Sequence, residues 1–207
     1  MSLVKICGIN TPAAFDAAVE AGADYLGFNF FPPSPRYITP ADAGALSARH
    51  EGAKPFRVGL FVDPGFDEID AVLRDISLDI LQIHANPSLV AALRDRFGRP
   101  VWRQLGVTTT ADCPDPKEYA DGFIVEAKPP PGATRPGGNA VLADWPLLAS
   151  FRPAKPWFLA GGLRPDNVAE ALRATGAPGV DVSSGVETAP GQKSPDLIRQ
   201  FIAAVRG

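Results

Sequence analysis

Eight short apolar runs punctuate this chain, and most are followed by a segment whose apolar residues return at helical spacing. Leu3-Val4-Lys5-Ile6-Cys7-Gly8 reads as the first strand. Thr11-Pro12 then offers an N-cap with proline in the first turn of a helix over 13–21, stopped by Gly22. Tyr25–Phe30 is the second strand, and Thr39-Pro40 opens a helix to about Arg49. Arg57–Val62 predicts a third strand, with a helix over 66–76 in which Ile69, Val72, Leu73 and Ile76 fall in step. Ile80–His84 follows, with Asn86-Pro87 capping a helix to about Phe97 and Gly98 ending it. Val101–Leu105, Phe123–Ala127 and Trp157–Leu163 are strands five to seven, and Gly179 starts the eighth. Segment 107–118, rich in Thr, Asp and Pro, is the weakest helix. Pro165-Asp166-Asn167-Val168 and Ser194-Pro195 open the last two helices, and 128–140 reads as a stiff loop without regular structure.

The strand starts near residues 3 and 179 are seven spacings apart, about 25 residues per unit. Strict alternation of strand and helix allows either a closed barrel or an open doubly wound sheet. No GxGxxG or Walker A run marks the open form. The seventh and eighth strands both run into glycines, Gly161-Gly162 and Ser183-Ser184-Gly185, which is where (β/α)8 barrels hold phosphate. The expectation is therefore a single-domain α/β (β/α)8 TIM barrel over residues 1–207.

Composition narrows the class. The 207 residues, 45% apolar and 21% charged, suit one globular domain. A net charge of −3 carries no basic-patch signal, so no nucleic-acid partner is expected. No apolar run approaches a membrane span, and the N-terminus enters a strand at once without a signal-peptide pattern, so a cytoplasmic location is expected. The two cysteines, Cys7 and Cys113, have no zinc spacing, so no metal site is expected. The 22 prolines and 20 glycines fall between apolar runs and act as punctuation.

In a barrel of this kind chemistry sits at C-terminal strand ends. Cys7 ends the first strand; it reads as a candidate base or as a small buried hydrophobe. Lys5, two residues earlier, shares its face, and a nearby ammonium favours the thiolate. The bland alternative for Lys5 is a barrel-interior ion pair. Glu126 interrupts an apolar strand and points to a carboxyl in the mouth, where desolvation favours the protonated acid; the competing reading is an ion pair with Lys128 or Arg103. Arg36, held among prolines, suits a substrate carboxylate or is a surface charge. His84 is a ligand contact or a structural histidine, and Asp181 orients or pairs with a group inside the barrel. Gly161, Gly162, Ser183, Ser184 and Gly185 offer backbone N–H groups to an anion. His50 and Cys113 carry no motif.

Lys5-Ile6-Cys7-Gly8, the run Phe31-Pro32-Pro33-Ser34-Pro35-Arg36-Tyr37, Leu159-Ala160-Gly161-Gly162-Leu163 and Gly179–Glu187 together resemble the phosphoribosylanthranilate isomerase family of tryptophan biosynthesis, nearly end to end and in the same order. The resemblance implies an aldose–ketose isomerase. It would carry N-(5′-phosphoribosyl)anthranilate through an Amadori rearrangement to 1-(2-carboxyphenylamino)-1-deoxyribulose 5-phosphate, by general acid and base and without a cofactor. It implies a small-molecule phosphosugar partner and a monomer or homodimer. Residue by residue, Cys7 matches the base that removes the C2′ proton, Arg36 the group holding the anthranilate carboxylate, and the glycines and serines after strands seven and eight the phosphate site. The family's general acid, usually an aspartate in a Leu-Leu-Asp-Ala-Lys type run, falls on Glu126, one methylene longer. Two further departures are Ala85 after His84, where glycine is common, and Pro-Gly-Gly-Asn-Ala at 136–140. Two rivals stand beside this reading. One is the related aminoimidazole-carboxamide ribotide isomerase, with an aspartate at the first strand and a half-barrel repeat not evident here. The other is a binding-only or altered-activity phosphosugar barrel, in which Glu126 marks lost catalysis.

Overall fold

The computed structural model describes residues 1–50, 52, 55–115, 117–128 and 143–207. Eight strands close a parallel barrel: β1 (Leu3–Cys7), β2 (Tyr25–Asn29), β3 (Phe56–Val62), β4 (Ile80–His84), β5 (Val101–Val107), β6 (Gly122–Ala127), β7 (Trp157–Leu159) and β8 (Gly179–Val182). Each pairs with its sequence neighbour, and β8 returns to β1 with Asp181 opposite Lys5. Seven α-helices are assigned among the described residues: α1 (Pro12–Glu20), α2 (Pro40–Ser47), α3 (Phe66–Asp75), α4 (Pro87–Phe97), α5 (Trp145–Leu148), α6 (Val168–Thr175) and α7 (Pro195–Arg206). No helix among these residues is long and apolar enough to cross a membrane.

The cap-plus-proline pairs set four helix starts. Thr11, Thr39, Asn86 and Ser194 each accept a hydrogen bond from the backbone N–H three residues on. Each thereby satisfies one of the donors that a helix N-terminus leaves open. Gly98 closes α4 in the left-handed region at φ 59°, as a C-terminal glycine does.

Three local expectations change. Among its described residues the segment after β5 forms only a 3-10 turn, Thr110–Asp112, rather than an α-helix. There the Asp112 carboxylate accepts the backbone N–H groups of Thr108 and Thr109, an arrangement that competes with helix bonding, and Pro114 follows closely. The short α5 lacks an apolar repeat long enough to announce it; Asp144 caps it, with Pro146 in its first turn. Finally, Glu187–Ala189 (β9) and Gln192–Lys193 (β10) form a small antiparallel hairpin after β8. The rest of the loop that the sequence places at 128–140 lies outside the described residues beyond Lys128.

The barrel interior is plugged at its N-terminal end by rings from β2, β5 and β7. Tyr25, Trp102 and Phe158 meet with centroids 5.0, 4.9 and 5.3 Å apart. Glycine on the neighbouring strand makes this possible, since a Cβ at Gly179 on β8 would lie 2.6 Å from the Phe158 ring. This plug buries the floor, so the polar groups above it face the C-terminal mouth. A second, larger apolar core joins the outside of the barrel to the helices.

Candidate active site

The mouth holds a cleft of about 730 Å³, its open entrance included. Cys7, Arg36, His84, Glu126, Gly161, Gly162, Asp181, Ser183 and Ser184 all line it. Lys5 and Gly185, also expected at the site, do not line it and act from behind.

Lys5 is completely buried and donates to Asp181 at 2.8 Å, the pairing that sequence reasoning left open for both residues. Burial opposes its charge, the Asp181 carboxylate chiefly favours it, and its pKa is raised. Lys5 therefore stays an ammonium. Cys7 departs from expectation. The proximity of Lys5 was expected to favour thiolate; instead burial pushes the Cys7 thiol above its usual value, with Lys5 and Lys193 only partly offsetting it. The free site holds a thiol, because desolvating a small anion costs more than the neighbouring ammonium returns. The sulfur has its place because β2 carries Gly27 opposite, where a Cβ would stand 3.0 Å from Sγ.

Arg36 is no surface charge. It is 6% exposed, its stem crosses Gly8, and its Nε and Nη2 donate to the two Glu187 oxygens at 2.7 and 2.9 Å. Those bonds leave Nη1 and the second Nη2 hydrogen as a fork edge for a carboxylate. Glu187 also accepts from Lys193; burial alone would raise the Glu187 pKa, but Arg36 and Lys193 bring it below the usual range. Lys193 in turn donates to the Ser183 carbonyl and hydroxyl at 3.1 and 3.2 Å, and the Ser183 hydroxyl donates to the Cys7 carbonyl at 3.1 Å. The hairpin thus ties the ends of β1 and β8 to the Arg36 loop.

Glu126 is 8% exposed and accepts from Gln104 Nε2 at 2.6 Å. The two suggested ion-pair partners are directed elsewhere, Arg103 to Glu118 and Lys128 to Asp112. His84 has its pKa lowered to about 4 by burial, with a smaller contribution from Lys5, so it is a neutral imidazole at pH 7.

Beside the strand of Glu126, β7 runs on into Gly161 and Gly162, both at positive φ (88° and 66°), and the Asn167 side chain donates to the Gly162 carbonyl at 3.1 Å. Gly185 meets the residues just after these glycines: a Cβ there would stand 1.7 Å from the Leu163 carbonyl oxygen. Gly185→Ala is therefore expected to force the two loops apart, destabilising the protein by about 2 kcal/mol or more. A thermal melt checks this, and an unchanged midpoint would show that the close approach imposes no constraint.

Sequence reasoning missed Asn29, Ser34, Gln82 and Gln104 among the lining residues, and the buried Lys193. The usable signal for Asn29, Gln82 and Gln104 was the one that flagged Glu126, a polar residue inside an apolar strand. Lys193 carried none. Among the described residues no group of His, Cys, Asp and Glu is arranged to hold a metal ion.

The family model for N-(5′-phosphoribosyl)anthranilate (PRA) isomerase matches residues 4–204. Relatives named N-(5′-phosphoribosyl)anthranilate isomerase from Acidiphilium cryptum and Granulibacter bethesdensis are each 53% identical, over 99% and 98% of this chain and 98% and 97% of theirs. The solved phosphoribosyl anthranilate isomerase of Thermotoga maritima is similar with a TM-score of 0.85 at 34% identity, covering both chains completely. A solved phosphoribosyl anthranilate isomerase in complex with reduced 1-(o-carboxyphenylamino)-1-deoxyribulose 5-phosphate is similar with a TM-score of 0.82 at 33% identity, again over both whole chains. By a family match across nearly its whole length and by relatives sharing half its residues, this chain belongs to the N-(5′-phosphoribosyl)anthranilate isomerase family.

Proposed function

We propose that this protein isomerises N-(5′-phosphoribosyl)anthranilate to 1-(2-carboxyphenylamino)-1-deoxyribulose 5-phosphate in tryptophan biosynthesis, with Glu126 as general acid and Cys7 as general base. The observation that carries the reading is a thiol and a carboxyl lining the same cleft as two glycine- and serine-bearing strand ends. The backbone N–H groups around Gly161, Gly162, Ser183, Ser184 and Gly185 suit the substrate phosphate. The free edge of Arg36, held in plane by Glu187, suits the anthranilate carboxylate. These two anchors leave the ribose between Cys7 and Glu126.

Protonated Glu126 donates to the furanose ring oxygen as the C1′–O bond breaks, and the ring opens to an iminium. The iminium acidifies the C2′ proton, which the Cys7 thiolate removes. The resulting enolamine tautomerises to the ketone. A thiol pushed up by burial is a strong base once ionised, but each unit by which its pKa exceeds the ambient pH cuts the ionised fraction about tenfold. The Lys5 and Lys193 ammonium groups limit that loss. Asp181 keeps Lys5 in place, and His84 offers a neutral imidazole to the cleft.

The catalytic unit is one domain over residues 1–207 acting on a small phosphosugar in the cytoplasm, as a monomer or homodimer and without a cofactor. A related solved structure is described as monomers made from a dimeric phosphoribosylanthranilate isomerase, which supports weighing the dimer. The binding-only alternative is not favoured, since relatives 53% identical carry the isomerase name. The deciding experiment supplies freshly made N-(5′-phosphoribosyl)anthranilate to the purified protein and follows product chromatographically. Turnover is expected; tight binding of a reduced product analogue with no turnover would instead establish the binding-only reading.

A further inference from the structure

Three polar side chains form one rung across the barrel mouth. Gln82 Nε2 on β4 donates to Gln104 Oε1 on β5 at 3.0 Å, and Gln104 Nε2 donates to Glu126 Oε1 on β6 at 2.6 Å. All three line the cleft, Gln82 is 1% exposed, and its own Oε1 is buried without a hydrogen-bond partner. Apolar side chains of the same size would fill these positions without the desolvation cost that the buried Gln82 amide and the half-buried Gln104 amide carry. Their orientation therefore calls for a reason beyond packing.

We infer that Gln104, itself oriented by Gln82, is the positioning residue that sets the Glu126 carboxyl for proton transfer. This rests on the acid role of Glu126 proposed above. Glutamate has one more rotatable bond than the aspartate usual at this place, so its carboxyl sweeps a larger volume unless something restrains it. The Gln104 amide restrains it at one oxygen, from the adjacent strand, where the backbone register is set by six consecutive β5–β6 pairs. A site built on two strands is held more precisely than one on a loop.

The chain of amides also fits a group that changes protonation state during each turnover. In the structure Gln104 offers N–H to the Glu126 carboxyl oxygen. Turning both amides over presents the Gln104 carbonyl to a protonated Glu126 and its N–H to Gln82 Oε1, the atom that otherwise has no partner. Glu126 keeps a hydrogen bond to Gln104 in both forms, so the acid is positioned before and after it gives up its proton.

The test compares kcat and KM for Gln104→Leu, Glu126→Gln and the double variant Gln104→Leu/Glu126→Asp. Gln104→Leu is expected to lower kcat by about 10–100-fold, the scale of a misplacement near an ångström, with KM nearly unchanged. The double variant is expected to turn over about tenfold faster than Gln104→Leu alone, because the shorter acid needs no amide restraint. Gln104→Ala repeats the comparison if Gln104→Leu melts early. An unchanged kcat in the single variant, or a double variant no faster than it, overturns the positioning role. Substantial turnover by Glu126→Gln is a separate result: it removes the acid assignment itself.

Discussion

Cys7→Ala is expected to reduce kcat by about 10³-fold or more while a reduced product analogue binds with near-unchanged affinity. General acid–base groups contribute on the order of 10²–10⁴-fold, and the proposed base would act on a carbon acid, for which water is a poor replacement in a cleft floored by aromatic rings. Binding should survive because the two proposed anchors, the fork edge of Arg36 and the backbone N–H groups of the glycine and serine wall, do not use the sulfur as a partner. Cys7→Ser, which keeps the shape and loses the acidity of the thiol, should be nearly as inactive. The pH dependence gives an independent check. The proposed base acts as the thiolate and the proposed acid must be protonated. Burial raises the thiol pKa, so kcat/KM of the native protein should follow a bell whose alkaline break lies beyond the ordinary thiol range and whose acid limb reflects formation of the thiolate. That limb should be absent from the residual activity of Cys7→Ala. Near-native turnover by the alanine variant would falsify the base assignment.

Glu126→Gln is expected to lower kcat by about 10²–10⁴-fold with little change in melting temperature. Glutamine occupies almost the same volume and can still face the Gln104 amide, so packing and the buried rung persist. What it lacks is a proton to give to the ring oxygen. The measurement is a single-turnover experiment alongside steady-state rates, because ring opening precedes proton removal in the proposed sequence. A fall in the single-turnover rate locates the defect at or before chemistry. Unchanged turnover would move the acid role to another group of the cleft.

Local signals were readable wherever the physics is local. Thr11-Pro12, Thr39-Pro40, Asn86-Pro87 and Ser194-Pro195 each carry a cap and a pre-set φ within two residues, and each starts a helix or lies one residue before it. Segment 107–118 showed the same rule in reverse, since the Asp112 carboxylate accepts from the backbone N–H groups of Thr108 and Thr109 and no α-helix forms among its described residues. Cys7, Glu126, Gly161 and Ser183 were legible as strand-end residues because a closed parallel barrel gathers all such ends at one mouth.

Partnerships across the barrel were not legible. Arg36 and Glu187 stand 151 residues apart, and Gln82, Gln104 and Glu126 are spaced by 22, an interval without meaning until adjacent strands lie in register. Lys193 became part of the site only because a hairpin after β8 folds its ammonium back against Ser183 and Glu187. The protonation of Cys7 depended on tertiary structure most of all. Two residues of spacing put Lys5 on its face and argued for thiolate, yet Lys5 is completely buried and Cys7, where it lines the cleft, is only 5% exposed. Chain order thus decided the barrel, its strand ends and the identity of the candidate acid and base, through alternation and short-range capping. Enclosure decided which charges survive and where the acid points, because desolvation and cross-strand hydrogen bonds exist only once distant strands have closed around them.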